Sequence, residues 1–77
     1  MVGRIAVSLS GRDKGRVFLI VDVPDENFVM LCDGCLRRLE KPKRKKLKHI
    51  KLLASPPVAI PETNKKLTEL INNISQS

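Results

Sequence analysis

Apolar and polar positions alternate at the start of the chain and then change rhythm. Over residues 4–9, Ile5, Val7 and Leu9 interleave with Arg4, Ala6 and Ser8, the period of two that predicts a half-buried strand. Val17-Phe18-Leu19-Ile20-Val21 is instead a continuous apolar run, as in a strand buried on both sides. Phe28-Val29-Met30-Leu31-Cys32 has the same character and predicts a third strand. Pro24, Asp25 and Asn27 mark residues 22–27 as a turn, and Asp33-Gly34 marks the next one. A fourth short strand is expected over residues 35–40, with Leu36 and Leu39 as its apolar content. Pro42 interrupts it, Lys43-Arg44-Lys45-Lys46 follows as a basic loop, and residues 47–53 form a last strand or turn with Leu47, Ile50, Leu52 and Leu53 inward. Five short strands at regular spacing favour a closed barrel, because closure removes exposed edges.

The pattern changes once more. Residues 55–61 hold three prolines and predict an extended linker. Over residues 62–75, Leu67, Leu70, Ile71 and Ile74 fall at i, i+3, i+4 and i+7, one face of a helix. Thr63 or Asn64 is its predicted cap, with Glu62 favourable near the positive end of the dipole. Such a helix is marginal alone, so its stripe packs back on the barrel, frays, or binds a partner.

The connection between the first two strands, Ser10-Gly11-Arg12-Asp13-Lys14-Gly15-Arg16, carries two glycines that permit the positive φ of a tight turn. This loop, with the alternating strand before it and Val17, Leu19 and Val21 after it, resembles the KOW motif of ribosomal proteins and transcription elongation factors. Gly15 stands at the signature glycine, among the basic Arg12, Lys14 and Arg16. The chain is most similar to KOW proteins of the archaeal and eukaryotic large ribosomal subunit, and to small bacterial proteins like them. The resemblance covers about the first third of the chain. It implies a small SH3-like barrel over residues 1–54 and RNA as the partner; the prolines and the helical period leave residues 55–61 as linker and 62–77 as amphipathic helix and tail.

Size and charge agree with that. Seventy-seven residues allow one domain, and with no Trp or Tyr and only Phe18 and Phe28 its core must be aliphatic. A domain this small buries only about 60% of its unfolded surface. The formal charge is +7, but residues 37–51 alone carry +8 and the remainder −1. A concentrated field of this kind attracts a polyanion. The candidate RNA-binding residues are Arg12, Lys14, Arg16, Arg37, Arg38, Lys43, Arg44, Lys45, Lys46, Lys48 and Lys51, with Gly11 and Gly15 shaping the loop. Dense Lys and Arg suit phosphates, whereas single-strand readout uses exposed aromatics. Both Phe lie inside apolar runs and are expected in the core, so the expectation is backbone and shape recognition of structured RNA, foremost ribosomal RNA.

Other chemistry finds little support. Cys32-Asp33-Gly34-Cys35 is a C-x-x-C with only His49 as a further soft ligand, short of the four a structural zinc site takes. Two reduced cysteines are expected, with no metal and no cofactor. No phosphate-binding Walker loop, paired carboxylates or nucleophile elbow is present, and His49 stands among lysines, so no enzyme is expected. No apolar run approaches the roughly 20 residues of a membrane helix, and the N-terminus lacks a signal-peptide pattern; no membrane partner and a cytoplasmic location are expected. The rival reading is a protein-interaction module of the transcription-elongation KOW type, with ribosomal or transcription proteins as partners of the barrel face or terminal helix.

Overall fold

In the computed structural model, which describes residues 1–75, the run of apolar residues in the second strand is buried on both faces. The strands are β1 (Ile5–Ser8), β2 (Val17–Asp25), β3 (Phe28–Cys32), β4 (Lys43–Lys46) and β5 (Ile50–Leu52), followed by helix α1 (Asn64–Ser75). They form one antiparallel sheet in the order β4-β3-β2-β1-β5. Its outer strands β4 and β5 are separated in sequence only by a 3-10 turn over Leu47–His49. The sheet therefore curls until its two ends meet at that turn, giving the small, mainly β, barrel-like fold that the spacing of strands predicted.

Ala6, Phe18, Ile20, Val29, Leu31 and Ile50 fill the inside of the curl. Ile5, Leu19 and Cys32 face the other way and are covered by Leu67 and Ile71 of α1, with Leu70 and Ile74 packed alongside. Alternation along β1 is thus real, but both sets are used. Ala6 and Ser8 point inward, Ile5 packs under the helix, and Leu9, expected inward, is 46% exposed.

Three local expectations are corrected. The turn predicted over 22–27 is shorter, because β2 continues to Asp25 and only Glu26 and Asn27 make the turn. Two register shifts, between Ile20 and Asp22 and between Asp22 and Asp25, place Pro24 where the ladder is already irregular and its missing N–H costs little. The fourth strand is not at 35–40. There the buried Asp33 carboxylate accepts the N–H groups of Cys35 (3.0 Å) and Arg37 (2.9 Å), curling the chain into a turn. Leu36 is left 55% exposed. The strand lies instead at the expected basic loop, Lys43–Lys46, paired with β3.

Thr63 caps α1, its Oγ1 accepting the Lys66 N–H at 3.2 Å. Asn64 serves the turn below: its Oδ1 accepts the Leu39 N–H at 2.7 Å and its Nδ2 donates to Glu40. Residues 53–61 run back along the sheet, with backbone hydrogen bonds from Leu53 to Ile5 (2.9 Å) and from Val58 to Gly3 (2.9 Å). Of the predicted tail, residues 76 and 77 lie outside the described residues.

Gly34 and Gly15 both have positive φ, +83° and +87°. A Cβ on Gly34 would strike the Asn64 carbonyl and sit 2.6 Å from Thr68 Oγ1, whereas one on Gly15 meets nothing. Gly15→Ala should therefore cost about 1–2 kcal/mol of left-handed strain, and Gly34→Ala distinctly more, because the helix must also move. Thermal melts of the two variants test this; equal losses would contradict it. Leu67 is fully buried between α1 and the sheet, so Leu67→Ala should lose about 2–5 kcal/mol, read from urea unfolding.

Candidate nucleic-acid interface

The loop between β1 and β2 is held in shape by its own backbone and by one acid. Gly15 N–H donates to the Ser8 carbonyl (2.8 Å) and Arg16 N–H to the Asp13 carbonyl (2.9 Å). Asp13 is buried in a loop otherwise full of cations. Its Oδ1 accepts from Ser8 Oγ at 2.7 Å and from Lys45 Nζ at 2.8 Å, and its Oδ2 accepts from Lys43 Nζ at 3.1 Å. Lys45 Nζ also donates to the Ser10 carbonyl at 2.8 Å. Burial alone would raise the Asp13 pKa, but the hydrogen bonds from Lys45, Ser8 and Lys43 outweigh it and hold the carboxyl well below the usual range.

This network sorts the basic run of β4. Cross-strand pairing sets Lys43 opposite Leu31 and Lys45 opposite Val29, whose side chains line the core, while Arg44 and Lys46 stand opposite Met30 and Phe28 on the other face. Lys45, with its side chain only 8% exposed, is turned inward and paired to Asp13. Lys43 shares Asp13 but stays partly open.

Arg12, Lys14 and Arg16 are exposed on the loop, and Arg37 on the neighbouring 33–37 turn. Arg16 bridges loop and turn, its guanidinium 3.7 Å from the Asp33 carboxylate. Arg12, Arg16, Arg37 and Lys43 surround a groove of about 320 Å³ whose remaining walls are Asp13, Phe18 and Leu36. The structure thus brings together cations from three separated stretches. Others lie apart. Arg44 stacks on the Phe28 ring at 3.9 Å from its centroid and approaches Asp25 at 3.8 Å. Lys46 and Lys48 flank a second cavity with Phe28 and Leu47. Arg38 pairs with Glu40 at 3.2 Å on the surface, and Lys51 is exposed on β5.

One further reading changes, and the cysteines stand as free thiols. Phe18 is in the core, but Phe28 is only half-buried and carries Arg44. Cys32 packs under α1, and burial, with smaller contributions from Asp33 and Glu40, pushes its thiol up to about 11; Cys35 is exposed. Sequence reasoning missed Asp13 as the organiser of the loop. Its signal was legible, since it is the one acid among Arg12, Lys14 and Arg16.

No family model matches the chain. It is 42% identical over 52 residues to the large ribosomal subunit protein eL14 of Staphylothermus marinus, covering 68% of this chain and 54% of that protein. The eL14 protein of Aeropyrum pernix is 40% identical over 52 residues, 68% of this chain and 52% of its own length. That of Methanococcus maripaludis is 41% identical over 49 residues, 64% and 57%. These identities support a relation to ribosomal proteins of the large subunit. It spans about half the length of these relatives.

Asp13→Ala should leave the Lys45 ammonium buried without its partner and cost about 3–5 kcal/mol, measured by urea unfolding. The depressed Asp13 pKa also sets a sign for pH. Its stabilisation is complete above the unfolded value, near pH 4, and is lost progressively as pH falls below that. Melting temperatures of the parent should therefore drop more steeply between pH 4 and acid extremes than those of Asp13→Asn. Parallel curves would remove Asp13 from this role.

Proposed function

We propose that this chain is an RNA-binding module for structured RNA, specifically ribosomal RNA, acting in the cytoplasm as a ribosome-associated or ribosomal-protein-like component. The observation that carries this reading is the convergence of Arg12, Arg16, Arg37 and Lys43 on one groove beside the glycine loop. Guanidinium groups supplied by two rigid turns suit the spaced, doubly oxygenated phosphates of a folded backbone. The relation to proteins named as large ribosomal subunit components supports RNA over DNA, which charge alone does not distinguish. The rival, a transcription-type protein-interaction module, loses its main support: the apolar stripe of α1 that would capture a partner is spent on the sheet.

Binding to a large-subunit ribosomal RNA fragment, titrated between 50 and 200 mM salt, tests the proposal. Arg12, Lys14 and Arg37 are exposed and can be changed without touching the Asp13 network. Their combined replacement by Ala should weaken binding to many structured RNAs alike. The log–log salt slope should become shallower by roughly 2 to 3 units for three lost phosphate contacts. An unchanged slope in a folded variant places the RNA surface elsewhere.

A further inference from the structure

The second cavity has a different composition from the phosphate groove. It measures about 580 Å³ and is lined by Glu26, Asn27, Phe28, Lys46, Leu47 and Lys48, a size that admits one small ligand. Three elements build it, and each is fixed. Asp25 Oδ1 accepts the N–H groups of Asn27 (2.7 Å) and Phe28 (3.1 Å), setting the β2–β3 turn. Leu47 N–H donates to the Asn27 carbonyl at 2.8 Å and ties the 3-10 turn to it. Arg44 covers one face of the Phe28 ring at 3.9 Å from its centroid and is not among the residues that line the cavity.

The lining separates into three kinds of group: an aromatic ring with a leucine, two ammonium groups, and a carboxylate beside an amide. These match the parts of a nucleotide. A base stacks on an aromatic ring whatever its sequence, its phosphate suits Lys46 and Lys48, and its amino and imino hydrogens suit Glu26 and Asn27, whose carboxylate would repel a phosphate placed there. We infer that this cavity holds a single unstacked nucleotide of the RNA, so that the protein reads a bulge or loop base in addition to backbone shape. The inference rests on the RNA-binding reading above. Paired bases cannot enter such a cavity, whereas a splayed-out one can.

The test uses the full chain and two RNA duplexes identical except for one bulged nucleotide. The parent protein should bind the bulged duplex about tenfold more tightly, the order expected of one base stacked on an aromatic ring. Phe28→Leu should bring the two affinities together while leaving that for the paired duplex unchanged. Ala at Arg12 and Arg37 should weaken both and keep their ratio. Because the chain has no Trp or Tyr, Phe28→Trp adds a single emitter at the cavity, which the bulged RNA should quench and the paired RNA should not. This second readout stands even if Phe28→Leu fails to fold. Equal parental affinity for the two RNAs, or no selective quenching, overturns the base site and leaves the RNA reading intact; failure to bind either RNA overturns both. If Phe28→Leu instead changes the sedimenting mass of the free protein, the cavity is a contact between copies and the base site is wrong.

Discussion

The two-sided burial of β2 is the constraint on which the molecule depends. Phe18 and Ile20 close the inside of the curled sheet, while Leu19, with Val17 and Val21 at its margins, needs a second cover. A chain of 77 residues with two phenylalanines has few ways to supply one. The extended segment after β5 crosses back over the sheet and delivers α1, so that Leu67 and Ile71 complete a core that the strands could not complete alone. Each such buried aliphatic side chain contributes about 1.5–3 kcal/mol of transfer free energy, a large fraction of what a small domain has in total. The helix is thereby part of the fold, and its first turn lies so near Gly34 that a Cβ there would strike the Asn64 carbonyl.

Electrostatics work on a framework that packing has already set. Asp13 draws Lys43 and Lys45 toward the glycine loop, and the pleat then obliges Arg44 and Lys46 to face away. One strand of four consecutive cations is divided between an internal tie and an outward surface. A strand edge composed of Lys and Arg also resists pairing with another chain, since like charges would be brought together. The same buried acid therefore fixes the conformation of the loop whose arginines line the groove, and determines which lysines remain free for a ligand.

The outward face of β4 joins this division to Phe28. Arg44 and the ring hold each other, with Asp25 behind the guanidinium. The basic surface is thus two differently built regions, a groove rimmed by cations beside the loop and a larger cavity lined in part by Phe28.

Much of this was determined by the sequence itself. Strands at 4–9, 17–21 and 28–32, the glycine loop and the apolar stripe of the helix were legible because hydrophobic periodicity and positive-φ glycines are local properties. The resemblance to the KOW motif rested on the same local signals. The tertiary structure decided what depended on partners distant in sequence. Residues 35–40 carry leucines but curl, because Asp33 captures their N–H groups and Asn64 of the helix takes that of Leu39. Residues 43–46 read as a loop by polarity, yet form a strand, because β3 had an open edge and Asp13, some 30 positions earlier, neutralises the two lysines that turn inward. A pattern of polar and apolar letters records how each residue prefers to meet water. It does not record which charge will be waiting when the chain folds, and that is why Lys45 turns inward while Arg12, Arg16 and Arg37 face the solvent.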